Sequence, residues 1–490
     1  MRLHLRISDL RKVLFLAALA PACGSDAANA PNGTCSIEKQ SGCAEGLVCQ
    51  AVSGGDPACF CDSATQTGCN QDEVCEAITE GNSGCFAPVS VAGKVFDLAS
   101  GAAVEGARVV ARDVNDAAVS GVAVTDAKGG YTLNVPTPRT KDGKPLENNV
   151  TLRADASGFL TFPAPPRIAL PFDVASAMGD PPVLSSTATD IGLIALEAST
   201  QLGTVTGKVV ADAPMGTLVV AGGAAQQGGG VSGIADRDGT YTVFNVAPGS
   251  VDVHGYKVGL KLTPETASVK AGATTEHVDL ESAGTATAVV TGKISLVNAG
   301  GGSVTSVILA VDETFNDAVA RGEAPPGLRV EGVTSDFRIE GVPDGRYVVL
   351  AAFENDKLVR DPDQSIGGTQ IVRITVAGAD VALADSFKVT GALDVMSPDK
   401  EATVSGTPHF SWADDSGEDH YEVRVFDAFG NKVWENLGIP GVSGNKNVSV
   451  DYGGPALTSG LLYQFRATSI KRGGTAISAT EDLRGTFVYK

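Results

Sequence analysis

The sequence predicts an all-β protein: tandem β-sandwiches preceded by a small disulfide-rich region. Three observations carry that prediction. Eight cysteines between Cys35 and Cys85 repeat one spacing. Short runs alternating Val, Ile, Tyr, Phe or Thr with polar residues fill the rest of the chain, punctuated by Gly, Pro, Asn and Asp. An opening strand of the form Val-Thr-Gly-Lys-Val/Ile returns at Val205 and Val290. Gly, at 59 of 490 residues, gathers at turns without the collagen period, so a fibrous fold does not compete.

At the N-terminus, Arg2, Arg6, Arg11 and Lys12 precede an apolar run over 13–22. That run is about half the ~20 residues a spanning helix needs, so 1–22 is expected to be a secretion signal. It ends Leu19-Ala20-Pro21-Ala22-Cys23, which resembles the lipobox of bacterial lipoproteins, although that family usually carries Leu where Ala20 stands. The resemblance implies a lipid anchor on Cys23. Gly24, not Asp, follows that cysteine, which implies an outer-membrane or cell-surface, extracytoplasmic location. Parity agrees: nine cysteines leave one over after two sets of four, and the spare is Cys23. Residues 23–33, rich in Ala, Asn and Gly, are expected to form a tether. No later stretch is apolar enough to span a bilayer.

The first cysteine set is Cys35, Cys43, Cys49 and Cys59; the second is Cys61, Cys69, Cys75 and Cys85, each 26 positions on. A duplicated, even-numbered framework predicts disulfides, hence an oxidising compartment. Modules over 34–60 and 61–88 are too small and polar for a useful apolar core, so cross-links replace packing. Pairing inside each module is expected, with the three connectivities per module left open. The spacing resembles small EGF-like or EB-type modules.

From 89 to 198 three marks follow in order: Val91-Ala-Gly93-Lys-Val95, Gly106-Ala-Arg-Val109, and Thr125-Asp126-Ala-Lys-Gly129-Gly-Tyr131. Together they resemble the carboxypeptidase regulatory-like domain, which implies a prealbumin-like sandwich of the carbohydrate-binding-like type. The skeleton returns over 203–282, with Gly207 and Asp236 to Tyr241, and over 287–390, with Gly292 and Ser335 to Tyr347, where the turn Gly is missing. Over 393–490, Trp412 on an early strand and Tyr463 on a late one resemble fibronectin type III.

No catalytic constellation is expected. His254, His277, His409 and His420 lack the spacing of a zinc site, and no nucleophile elbow or phosphate loop occurs. No cofactor is therefore expected, calcium excepted: Asp414, Asp415, Glu418 and Asp419 form the densest carboxylate loop, while Asp236/Asp238 and Asp361/Asp363 suit ordinary turns equally well. Trp434 is the candidate glycan platform, with sheet packing as its alternative. The formal charge of −20, or −23 after loss of 1–22, argues against nucleic acid as a partner. The expectation is a non-enzymatic, lipid-anchored multi-domain stalk, its sandwiches end to end, for adhesion, partner binding or envelope scaffolding. Its partners are then the membrane, through the anchor, and a surface protein or polysaccharide. A polysaccharide-binding surface protein and an accessory subunit of a secreted peptidase are the alternatives.

Overall fold

The computed structural model describes residues 35–490 except 53–54, 64–65, 71–72, 80, 165–166, 198, 223–229, 318–319, 352–355, 361–370, 385 and 443–446. The expected signal over 1–22, the expected tether over 23–33 with Cys23, and the Asp361/Asp363 pair therefore lie outside the described residues. Two units emerge: one holds the cysteine region up to Phe86 together with Arg139–Lys144, the other Ala87–Pro138 and Pro145–Lys490.

In the first unit each module is one hairpin, Leu47–Gln50 with Ala58–Cys61 and Val74–Ala77 with Ser83–Phe86. Cys49 faces Cys59 across the first hairpin and Cys75 faces Cys85 across the second. Neither facing pair is bonded. The bridges are Cys35–Cys49 and Cys43–Cys59, then Cys61–Cys75 and Cys69–Cys85, with sequence separations of 14 and 16 in both modules. Pairing inside a module is thus observed, and the connectivity is first to third and second to fourth. A glutamine completes each copy. Gln40 accepts from the Cys49 amide at 2.9 Å and donates to its carbonyl at 3.1 Å, and Gln66 does the same for Cys75 at 3.1 and 2.7 Å. Both glutamines sit at positive φ, so a side-chain amide substitutes for a ladder partner where the strand has none. In the same unit the Arg139 guanidinium pairs with Glu76, both almost fully buried.

The second unit contains four two-sheet sandwiches and, among the described residues, no α-helix. In the first, Val89–Asp97 lies antiparallel to Gly130–Val135 and parallel to Ile191–Leu193. In the second, Gly203–Val210 takes the same place between Thr240–Val246 and Leu280–Thr285. In the third, Ala288–Val297 lies between Asp336–Val342 and Phe387–Gly391. The opposing sheets centre on Arg108–Arg112 with Asn149–Asp155, Leu218–Ala221 with Gly249–Tyr256, and Thr305–Val311 with Gly345–Ala351. Alternation selects the core face: Tyr131, Leu133 and Val135 are buried, while Thr132 and Asn134 are exposed.

The recurrent Gly-Lys has a packing cause. Gly93 faces Tyr131 across the ladder and Gly207 faces Tyr241. Each tyrosine lies over its glycine and donates to the returning chain: Tyr131 to the Thr189 carbonyl at 2.6 Å, Tyr241 to that of Val278. A Cβ at Gly93 or Gly207 would fall 2.0 Å from that same carbonyl oxygen. Burial pushes both phenols well above their ordinary range, so they remain hydroxyl donors. In the third sandwich Gly292 faces Phe337, and the hydroxyl tether is absent.

The Asp-to-Gly turns behave as their residue types require. Asp126 accepts from the Lys128 and Gly130 amides while Gly129 takes φ +75. Asp427 and Gly430 build the same turn in the fourth sandwich.

That sandwich sets Val395–Ser397, His409–Trp412 and Val448–Asp451 against a sheet ordered Ala402–Val404, Thr486–Tyr489, Leu462–Lys471, His420–Asp427, Lys432–Pro440. Trp412 is fully buried, and the Tyr463 hydroxyl accepts from the Thr458 amide at 2.8 Å.

The end-to-end arrangement needs correction. Within this unit the first sandwich touches all three others. Asn245 of the second accepts from the Gly158 amide and donates to the Phe159 carbonyl. Arg321 of the third pairs with Asp116 at 2.6 Å. Arg167 donates to the Phe429 carbonyl of the fourth at 2.9 Å. One apolar cluster draws Val110 and Ala118 from the first sandwich, Leu218, Val220, Ile234 and Tyr256 from the second, and the core of the third. The physical reason is that outer faces of the second sheets are covered by neighbours. Leu218–Ala221 and Thr305–Val311 are buried at every position, unlike a strand with one wet face.

Candidate functional site

The residues singled out from sequence do not converge. In the 414–419 loop, Asp414 accepts from the Tyr421 hydroxyl at 2.8 Å, Asp415 from the Ser469 hydroxyl at 2.8 Å, and Asp419 lies 3.2 Å from the His420 ring. Burial raises the Glu418 carboxyl, with Asp414 and Asp415 adding repulsion. Among the described residues, no three of these acids bring ligand oxygens within 4.8 Å of one another; the groups that do so are disulfide cysteines. Asp414, Asp415 and Asp419 therefore serve local hydrogen bonds. Trp434 is half-buried, its ring 5.2 Å from Tyr452 in an edge contact and 6.3 Å from Phe410, so it packs on the sheet. His409 pairs with Asp451 at the surface, and His254 stacks on Tyr256.

The arrangement with most chemical content was not visible in any motif. It begins on the outer face of the sheet formed by Arg108–Arg112 and Asn149–Asp155. Val150, Leu152 and Ala154 point into the first sandwich's own core, leaving Thr151, Arg153 and Asp155 on the opposite face, with Arg112 directly across from Thr151. Packing of the other sandwiches buries this polar face. Arg153 holds Asp155 through two parallel bonds at 2.9 and 3.0 Å, reaches Glu323 at 2.5 Å, and donates to the Ser232 carbonyl at 2.9 Å. Burial alone would lower this guanidinium, but Asp155 and Glu323 more than offset that and hold it above its ordinary value.

Beside this cluster lies a cavity of about 290 Å³ where the first, third and fourth sandwiches meet. A charge relay runs along it: Arg112 to Asp116 at 3.5 Å, Asp116 to Arg321, Arg321 to Asp482, and Asp482 to Arg466 at 2.6 Å. Asp113 is paired with Arg329. Burial pushes the Asp116 carboxyl up, but Arg112 and Arg321 win and hold it below the ordinary carboxylate range. Burial, with Arg321 nearby, pushes the Arg466 guanidinium down.

The Asp116 shift has a testable sign. A folded-state value below the unfolded 3.8 means that stability is fully present above about pH 4 and is lost as pH falls through the folded value. Asp116→Asn, which tolerates the φ of +64 found there, is expected to lower stability at pH 7 by about 2 kcal/mol and to flatten the acid limb of the melting profile. Acid limbs that superimpose for the two proteins would remove Asp116 from this role.

No protein-family model and no curated protein matches the chain. Solved structures give partial likenesses. A DUF3823 family protein from Bacteroides ovatus is 12% identical, with 41% of this chain and all of that one covered, at a TM-score of 0.22. A candidate carbohydrate-binding protein from Bacteroides uniformis is 15% identical, with 41% and 98% covered, at 0.20. A streptococcal ancillary pilin is 11% identical, with 62% and 98% covered, at 0.16. At scores this low the likenesses carry no weight for function.

Proposed function

We propose that the chain is an exported, non-enzymatic surface protein: lipid on Cys23 holds it to the outer membrane, a disulfide-closed region follows, and the sandwiches act as one body for adhesion or partner docking. The cysteine pairing carries this reading. Eight of nine cysteines are committed to bridges, which persist in oxidising compartments, and count alone then leaves Cys23 for the anchor. The buried polar contacts between sandwiches support a fixed presentation surface in place of a flexible string. The last sandwich, with its buried Trp412 and the Tyr463 bond to a backbone amide five residues upstream, suits a fibronectin-like docking domain.

The anchor is checked by labelling expressing cells with a palmitate analogue. Labelling is expected on the natural chain and is expected to vanish in Cys23→Ser, which also moves the protein out of the membrane fraction. A Cys23→Ser protein that still takes label contradicts the assignment.

A further inference from the structure

We propose that docking of the fourth sandwich on the third is proton-linked through Glu481: the docked form takes up a proton that the separated form releases, so this joint tightens as the surroundings turn mildly acidic. The inference goes beyond the surface role and does not depend on it, since the joint can be followed in the purified protein.

Among the described residues the buried acids are Glu76, Asp155, Asp312, Glu313 and Glu481. The first four each have a guanidinium: Glu76 is paired with Arg139, Asp155 with Arg153, Asp312 with Arg373 and Glu313 with Arg346. Glu481, 7% exposed, has no ion pair. Its carboxylate instead accepts from the Lys357 amide of the third sandwich at 2.6 Å. Lys357 holds a left-handed φ of +67, a conformation that a non-glycine residue keeps only where its surroundings fix it. Close by, the Ser478 hydroxyl donates to the Gly391 carbonyl at 2.7 Å, so Glu481 lies in a built joint between the two sandwiches.

The charges around it do not supply a counter-ion. Arg484 is paired with Asp399 at 2.8 Å, while Asp394 and Asp399 add repulsion. Asp482, the next residue, is bound to Arg466 and Arg321. Arg360 and Lys388, on the third-sandwich strands packed against Thr475–Ala479, form no ion pair with Glu481. The Lys357 side chain is exposed, and Asp356 accepts from the Leu358 amide. A carboxylate buried without a cation is costly as the anion and cheaper as the acid. Burial accordingly raises the Glu481 carboxyl, with the Lys357 bond and Arg484 only partly offsetting it. Once separated from the third sandwich, the side chain meets water and returns to its ordinary 4.5. A docked value above 4.5 means that this contribution to docking is fully present below pH 4.5 and is lost as pH rises through the docked value. Asp116 works in the opposite direction, and only as pH falls below its ordinary 3.8.

The test is amide hydrogen exchange of the purified protein in mild acid and at neutrality, with rates corrected for the intrinsic pH dependence of exchange. The Lys357 amide is expected to exchange about threefold more slowly, or slower still, near pH 5 than near pH 7. In Glu481→Gln a neutral amide oxygen accepts the same bond. Lys357 should then be as protected at neutrality as it is in the natural chain in acid, and the difference between the two conditions should vanish. That variant should also melt about 2 °C higher at neutrality. Glu481→Ala, which loses the acceptor, should expose Lys357 equally in both conditions. Protection that does not rise in acid overturns the proposal. So does a Glu481→Gln protein that keeps the parent's pH dependence, or one that melts lower than the parent at neutrality.

Discussion

Gly207→Ala is expected to destabilise the second sandwich by about 3 kcal/mol, near the upper end for an overpacked site. The new Cβ would lie 2.0 Å from the Val278 carbonyl oxygen and 2.5 Å from its carbon, both backbone atoms of the returning chain. Neither can give way without moving the parallel strand Leu280–Thr285. The Tyr241 hydroxyl, bonded to that same carbonyl, would also be displaced, and such a bond is worth about 1 kcal/mol. Opposing these losses is only the entropy gain of replacing a glycine, about 0.4–1 kcal/mol. The clash wins. Gly93→Ala should behave alike, since its Cβ would meet the Thr189 carbonyl oxygen at the same 2.0 Å. Gly292→Ala should cost less, about 1–2 kcal/mol, because the nearest atoms there are the Phe337 ring at 2.7 Å and Leu383 Cβ at 3.1 Å, which can shift. Melting temperatures of the three variants check this ranking. A Gly207→Ala protein as stable as the parent would refute the packing explanation of the repeat.

Reduction is expected to have a still larger effect, confined to the cysteine modules. Each bridge closes a loop of 14 or 16 residues, for which chain entropy predicts about 3 kcal/mol, hence about 6 kcal/mol per module. A module of roughly two dozen residues has too little apolar burial to replace that. The Gln40 and Gln66 clamps fix geometry but contribute only about 1 kcal/mol per bond. Limited proteolysis of reduced, alkylated protein should therefore cut within 35–86 and leave the sandwiches whole. Continued protection of the modules after reduction would show that packing, not cross-linking, holds them.

What the residues announced, and what they did not, follows the range of the forces involved. The Gly-Lys strand and the Asp-to-Gly turn were legible because backbone contact dictates identity there: only glycine fits beneath the Thr189 or Val278 carbonyl, and Gly129 and Gly239 need positive φ. The same logic placed Gln40 and Gln66 26 positions apart, a repeat present in the sequence but hidden by the more conspicuous cysteines. Side-by-side packing of sandwiches also left a signal. Leu218-Val-Val-Ala221 and Val307-Ile-Leu-Ala-Val311 are continuous apolar runs, the pattern of strands covered on both faces, yet alternation elsewhere suggested wet outer faces. The cavity had no such signal. Arg112, Thr151 and Arg167 carry no motif spacing, and Arg321 and Arg466 reach the same space from other sandwiches only through tertiary packing. The acids of the 414–419 loop were legible as a cluster, but side-chain direction disperses them to Tyr421, Ser469 and His420.

Side-chain contacts and a shared apolar cluster interlock the sandwiches. Calorimetry of the purified protein, with and without reductant, addresses it. The contacts of Asn245, Arg153, Arg321 and Arg167, together with an apolar cluster shared by three sandwiches, predict that the sandwiches melt in a single transition that reductant leaves in place. Separate, independent transitions for the individual sandwiches, each unchanged when its neighbours are deleted, would contradict it.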